Sequence, residues 1–369
     1  MLNERKIDFA YGYRMTCGVC QTNNWLTAEE HHAARLQEMV PCSMGHDFKF
    51  GNTAIALRDP HDVALNEGLV PQLVWYHTTT VPNWPARSRP LTADDVRQFE
   101  LADLSDEQIH REKNKALHLG TYEAALESML RNMHERGDQH STFYLHRVRL
   151  REDVVIEKRL RNENHEPAAN ITTMDLALLG VNGVRYLNAY ESMGGISLAI
   201  ARGAIESTQG VALPVPELVG NPSEATVERI RSFRKKAQEI RDAHNGPANG
   251  SKVIAQRLAL LKGDPPPIGP LDSTAAAEPM AAYRVLAEMN NFVGDQYLDG
   301  LSPVVRDTFL RSLHRPLPSE DHAADLAWLS KFMALAALFT HPGDVLRALD
   351  DQPWKDVNPA CEALGEALS

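Results

Sequence analysis

Three stretches, LVWYHTTT at 73–80, ALHLGTYEAA at 116–125 and GVRYLNAYESMGGISLAIARGAIE at 183–206, each set a short apolar run against polar residues that a strand end would expose. Taken in order they predict an α+β protein with a split β-sheet core over residues 51–215. Leu73–Tyr76 is expected as a buried strand with His77 at its end. Trp75 and Tyr76 are expected in the core. Gly183–Asn188 and Ile196–Ala201 are expected as two further strands joined by a Gly194-Gly195 turn.

Working outward from these segments, Asp59-Pro60 reads as a helix opening, with aspartate as N-cap and proline at the first helical position. Val81–Pro90 is a proline-rich loop, and the charged stretch that follows, to Lys115, reads as surface helices. Tyr122–Met133 carries Ala125, Met129 and Leu130 at helical spacing. Phe143–Leu150 alternates like a strand near a sheet edge. Ala225–His244 is an amphipathic helix whose basic residues, interrupted by Glu228 and Glu239, read as a solvated face. Residues 216–262 thus form a helical extension and 263–274 a stiff proline-rich linker. Residues 275–369 are expected as an all-α C-terminal domain with an apolar centre around Trp328, Phe332 and Phe339.

The chain has 369 residues, 43% of them hydrophobic and 24% charged, enough for two or three cores. Its formal charge of −11 argues against a large phosphate-tracking surface. The opening MLNERKIDFAYGY is too polar for a signal peptide, and the apolar run Leu326–Phe339 contains Lys331 and is too short for a membrane span. A cytoplasmic protein without membrane attachment is expected, delivery as an effector lacking a cleavable signal being compatible with the same sequence.

Four cysteines are too few for a disulfide framework, and three of them fall within the N-terminal segment 1–50. Cys17-Gly-Val-Cys20 is followed by Cys42-Ser-Met-Gly-His46, with His31 and His32 between. A CxxC knuckle presents two thiolates to one tetrahedral zinc ion, and Cys42 with His46, or with one of the paired histidines, would complete the set. The alternative is that Cys20 and Cys42 are small core residues. Cys361 is distant in sequence, and no strand-to-helix frame marks the CxxC as redox-active.

In the order and spacing of their motifs, the three segments resemble the ADP-ribosyltransferase superfamily, in the branch with a histidine on its first strand: diphtheria-toxin-like enzymes, poly(ADP-ribose) polymerases and phage and bacterial proteins. The resemblance covers about residues 50 to 210. It implies NAD as substrate, with His77 and Thr78 anchoring a ribose. It places His118, followed by Gly120, where a tyrosine usually packs against nicotinamide. Gly180, Gly183, Tyr186, Asn188 and Glu191 match a Gly-x-x-Gly-hydrophobic-x-Tyr-x-Asn-x-x-Glu pattern. Ile196 or Ser197 stands where the polymerases carry their catalytic glutamate, leaving Glu191 as the nearby carboxylate. Arg185 and Arg202 become candidates for the NAD pyrophosphate.

The implied activity is transfer of a single ADP-ribose to a macromolecular acceptor, protein or nucleic acid, as in toxins, phage factors and defence effectors. Such a reaction passes through an oxocarbenium-like ribose, the electronic problem that glycoside hydrolysis also poses. Two rival readings are a noncatalytic nucleotide- or protein-binding module on the same fold, and a zinc-containing nucleic-acid-processing protein built on Cys17, Cys20, Cys42 and the helix from Ala225.

Overall fold

In the computed structural model, which describes residues 3–51, 54–85, 114–135, 141–166, 168–218, 220–244, 273–313 and 322–357, the chain is a mixed α+β protein. Its N-terminal part holds β1 (Tyr13–Thr16), β2 (Asn23–Leu26), α1 (Ala28–Gln37), β3 (Met39–Pro41), β4 (Asp47–Lys49) and β5 (Ile55–Ala56). β1 is flanked by β2 and β5, and β3 pairs with β4, all antiparallel. Helix α1 starts where Thr27 and Glu30 form a reciprocal capping box, each side chain accepting the other residue's backbone N–H. Met15, Leu26, Val40, Phe48 and Ile55 fill the small core beneath these elements.

The central part adds β6 (Trp75–Thr79), β7 (Leu117–Leu119), α2 (Tyr122–Glu135), β8 (Phe143–Leu150), β9 (Ile156–Asn162), α3 (Thr173–Leu179), β10 (Gly183–Leu187), β11 (Ile196–Ile200) and β12 (Ile205–Leu213). Beyond lie α4 (Glu224–His244), α5 (Ser273–Tyr297), α6 (Pro303–Ser312), α7 (His322–Thr340), α8 (Pro342–Asp350) and β13 (Lys355–Asp356). Two four-stranded sheets result, ordered β7-β11-β10-β9 and β13-β12-β8-β6. Only β9 and β10 run parallel among their strand pairs. Trp75, Val148, Leu150, Ile196, Leu198 and Ile200, each no more than 1% exposed, share one core, so residues from both sheets meet in it. β11 is buried along its whole length because Ala199 on its other side packs with Val184, Tyr186 and Leu176.

Several expectations are corrected. β6 begins two residues late and runs on to Thr79, so His77 lies inside the strand, paired with His146, instead of at its end. β8 is not near an edge: it is flanked by β6 and β12, and its alternating arginines are paired, Arg147 with Glu4 and Asp350 and Arg149 with Glu206 on the neighbouring β12. The turn after Asp59 is a single 3₁₀ turn, Val63–Leu65, and its cap is Asp62, whose carboxylate accepts the Ala64 N–H at 2.8 Å. The end of the loop expected over Val81–Pro90, the helices expected beyond it up to residue 113, Cys361 and the linker up to residue 272 lie outside the described residues.

The chain divides into two compact units: Met1–Leu218 with Gly300–Ser312 and Ala337–Ser369, and Val219–Asp299 with Leu313–Ala336. This grouping cuts across the boundary expected at 263–274. In the second unit α4 packs along α5, with the Phe233 and Phe292 rings 5.9 Å apart. In the first, Phe309 and Phe339 pack on each other and the Tyr122 hydroxyl donates to the Leu338 carbonyl at 2.8 Å. The C-terminal helices are therefore shared between units, since α6 and α8 bury their apolar faces against the β-bearing part. No described helix is long and apolar enough to cross a membrane.

Arg185 is a structural residue. At 1% exposure its guanidinium donates to the carbonyls of Ala64 and Glu157 at 3.0 and 3.1 Å, and also to those of Leu65 and Lys158. Its planar fork thus satisfies two chain crossings that no ladder reaches, and it has no freedom to meet a pyrophosphate. Arg185→Met will leave these carbonyls without a donor and cost about 3 kcal/mol or more in denaturant unfolding; an unchanged midpoint would contradict this assignment.

Candidate functional site

The two large sheets are tied by one antiparallel bridge in which Tyr76 and Gly120 exchange both backbone hydrogen bonds, each at 2.9 Å. Glycine is required at 120 because a Cβ there would fall 2.6 Å from that of Ala124 and 3.1 Å from Ser197 Oγ. The bridge brings the residue after Tyr76 against the strand that precedes Gly120. His77 donates from Nδ1 to the His118 carbonyl at 2.9 Å, and its ring stacks on Trp84 at 4.3 Å. The carbonyl can only accept, so the His77 proton resides on Nδ1. Burial pushes the His77 pKa down to about 3 and that of His118 to about 4, so both rings are neutral near pH 7.

His118 Nδ1 lies 3.0 Å from the Tyr186 hydroxyl, while its Nε2 is buried without a hydrogen-bond partner. Asn188 Nδ2 donates to Ser197 Oγ at 2.8 Å. Thus His77, His118, Gly120 and Tyr186 gather at one place, with Asn188 and Ser197 beside them. Thr78 is different: its hydroxyl donates to the Ala125 carbonyl at 2.6 Å and fastens α2 to β6. That bond explains its 6% exposure and leaves no proton for a ribose. Arg202 lines a separate pocket with Trp84, His146 and Lys355, and its Nε is buried without a partner.

Glu191 sits at the border of this cluster, paired with Arg131 of α2 and only 12% exposed. Burial pushes its pKa up to about 7. Burial, and then the charges of Glu163 and Glu191, hold the Tyr186 hydroxyl well above its usual range, so the carboxylate is electrostatically part of the cluster. Ser192, which follows it, is fully buried and adopts φ +45°, a conformation that a non-glycine residue keeps only when its surroundings over-determine it. They do: its N–H donates to Glu127 at 2.7 Å, its hydroxyl accepts from Arg58 at 3.1 Å, and the Arg58 N–H donates to the Gly194 carbonyl at 2.8 Å. Gly194 has φ +80°, and a Cβ there would meet the Ala56 carbonyl at 2.7 Å.

Glu127 and Arg131 were not legible as site residues. The available signal was Glu123 and Glu127, four residues apart on the apolar face of a helix. Both are buried: Glu123 accepts the Asp8 N–H at 2.7 Å, and Glu127 accepts the Tyr11 hydroxyl at 2.6 Å in addition to Ser192. Burial raises the Glu127 pKa from 4.5 to about 7.

The cysteine segment forms a candidate metal centre. Ligand atoms of Cys17, Cys20, Cys42 and His46 all lie within 4.8 Å of one another. The β1–β2 and β3–β4 hairpins each contribute a knuckle, in which Val19 N–H points to Cys17 Sγ and Met44 N–H to Cys42 Sγ, both at 3.4 Å. Gly45 supplies the positive φ, +82°, that closes the second turn. Amide donors aimed at sulfur favour thiolates, and a hydrogen bond from Thr22 leads in lowering the Cys20 pKa to about 6.

Cys20 and Cys42 sulfurs are 3.6 Å apart; two thiolates on a tetrahedral zinc at 2.3 Å are separated by about 3.8 Å. His46 Nδ1 is buried without a hydrogen-bond partner. A Cys₃His set of this geometry could hold a metal ion such as zinc. His31 is no ligand: its ring is stacked on Tyr13 at 3.6 Å. Met193 and Phe50 pack on the same small core as Cys17 and Cys42, so the metal centre and the Glu191 turn share a scaffold.

Comparison with protein-family models, with curated proteins and with solved structures found no match for this chain.

Purified protein is expected to carry one zinc per chain by mass spectrometry, and Cys20→Ser to lose it and melt about 5 °C lower; full stability without metal would contradict the assignment. For Glu127 the sign follows from linkage: the folded chain holds its proton more tightly than the unfolded chain. Stability relative to Glu127→Gln will therefore fall as pH rises from about 4.5 to about 7, by about 3 kcal/mol, and level off above. Denaturation of both proteins across that range checks it, and parallel curves would refute the buried carboxyl.

Proposed function

We propose that this chain is an NAD-dependent ADP-ribosyltransferase that passes a single ADP-ribose to a macromolecular acceptor, with the nicotinamide end of NAD taken up at the sheet junction. The supporting observation is convergence. Residues expected from three short segments more than thirty positions apart, His77, His118, Gly120 and Tyr186, meet around one two-bond bridge.

In this reading the neutral His118 ring, with Nε2 unengaged, and Tyr186 receive the nicotinamide, and His77 fixes the His118 backbone. The C1′–N bond of the ribose breaks first, and nicotinamide leaves with the bonding pair, which cancels its pyridinium charge. Positive charge grows on the ribose, where a carboxylate is most effective in a dry, pre-organised site. The acceptor's nucleophile then bonds to C1′ and surrenders its proton to Glu191, whose raised pKa suits a general base. The Arg131 pair and the strained Ser192 hold that carboxylate in place. Zinc takes no part in the chemistry; it would brace the turn through Met193 and Phe50.

One observation favours a second reading, a noncatalytic nucleotide- or protein-binding module. Ile196 or Ser197 stands where the polymerases carry glutamate; the first has no carboxylate to offer, and the hydroxyl of the second is already bonded to Asn188.

Nicotinamide release from NAD, with cell lysate as acceptor, separates the two. The transferase predicts release that falls about 100-fold or more in Glu191→Gln and is lost in His118→Ala. NAD binding without release would support the module, and neither binding nor release would contradict both.

A further inference from the structure

A pocket of about 270 Å³ opens between α1, α2, α6 and the turn at 189–193. It lies on the side of Glu191 bounded by helices, and the sheet-junction histidines His77 and His118 do not line it. Its volume is just under the usual range of small-molecule sites, which fits a ligand about the size of a nucleotide.

The lining is asymmetric. Arg35, Arg131 and Arg311 line it from exposed or half-exposed positions, Arg311 donating from Nε to the Asp307 carbonyl at 3.2 Å. Arg131 is paired with Glu191, whereas Arg35 and Arg311 form no ion pair with a described carboxylate. Glu135 shares the rim, and the balance there stays positive on a chain whose net charge is −11. Deeper lie two carboxyl groups, Glu127 and Glu191, which accept hydrogen bonds from hydroxyl or amino groups. His31 forms part of the wall; it is 0% exposed, and neither ring nitrogen has a hydrogen-bond partner. Leaving both nitrogens of a buried ring unpaired is unfavourable, and a ligand's polar edge or a water offsets that. Tyr190, 54% exposed on the same lining, offers a free aromatic face.

We propose that this pocket binds a nucleoside monophosphate. Arg35 and Arg311 take the phosphate, Glu127 and Glu191 accept from the ribose hydroxyls, the base lies against Tyr190 and His31 meets a polar edge. A simple aromatic carboxylate would satisfy the arginines and leave the deep acceptors idle; a free sugar would do the reverse. The site stands on its own geometry and does not require that NAD be cleaved at the junction.

The test is isothermal titration of the zinc-loaded full chain with adenosine, guanosine, cytidine and uridine monophosphates, and with uncharged adenosine and inorganic phosphate. At least one monophosphate is expected to bind with Kd between about 10 µM and 1 mM, and about tenfold tighter than the nucleoside or phosphate alone. The double variant Arg35→Ala/Arg311→Ala, with exposed or half-exposed positions, should weaken it at least about tenfold, and added salt should weaken the wild type but not the variant. Tyr190→Ala, at an exposed position, tests the base contact independently of charge.

Absence of binding below about 1 mM by all four monophosphates would overturn the proposal. So would affinity unchanged in the double variant. Loss of monophosphate binding in His118→Ala, with the double variant unaffected, would assign it to the sheet junction and also overturn this site. Failure of NAD turnover with monophosphate binding intact would instead count only against the transferase reading.

Discussion

The pair of backbone hydrogen bonds between Tyr76 and Gly120 is the constraint on which the candidate site depends. A two-stranded contact one residue long is weak as a ladder. Here it is held from both sides: Tyr76 is buried and its hydroxyl donates to Glu4 at 2.7 Å, and Gly120 is wedged between Ala124 and Ser197. Because both sheets must reach the bridge, β6 delivers His77 to the backbone of His118, and β11 delivers Ser197 beneath it. A side chain at 120 would separate the sheets at the point where the histidines, Tyr186 and Asn188 converge.

A second layer of buried polar bonds positions the carboxylate. Glu127 is taken out of water on a helix, which is costly for an ionised group. Its proton affinity rises in consequence, and its two oxygens accept from Tyr11 and from the strained Ser192. Arg58, lying 3.9 Å above the Tyr11 ring, grips the other side of the same turn. The 188–195 turn is thus held by polar bonds from Arg58, which follows the N-terminal hairpins, and from Glu127 of α2, itself fixed by Tyr11. Met193 of the same turn packs on the core of the cysteine knuckle, so a metal held by the Cys₃His set would stiffen the wall against which the turn is pressed.

Local patterns in the sequence revealed the elements whose period is unambiguous. β10, β11, α2 and α4 stand within a residue or two of expectation, because their apolar spacing and the Gly194-Gly195 turn are read from neighbours in the chain. The Cys₃His set was legible for the same reason, since ligand spacing is itself local; the choice between His46 and the paired histidines was not, and rests on His46 lying with the sulfurs while His31 stacks on Tyr13 and His32 faces Asp307. What was not legible depends on distant partners. Arg185 reads as a candidate for a pyrophosphate until Ala64, Leu65, Glu157 and Lys158 supply its carbonyl shell. Thr78 reads as a ligand donor until Ala125 claims its hydroxyl. The interior place of β8 and the sharing of the C-terminal helices between two units are likewise long-range facts, set by which faces find each other. Glu127 was hidden because a glutamate at helical spacing is usually solvated, and only the burial of Tyr11 and Ser192 around it makes it a buried acceptor.

The central claim, that the sheet junction receives the nicotinamide end of NAD, is tested most directly by following the histidine ring resonances during titration with NAD. The account predicts that His77 and His118 signals move together and saturate, that His32 and His46 stay unmoved, and that Gly120→Val abolishes the effect. Saturable NAD binding that leaves His118 unmoved, or no binding at all, would contradict it.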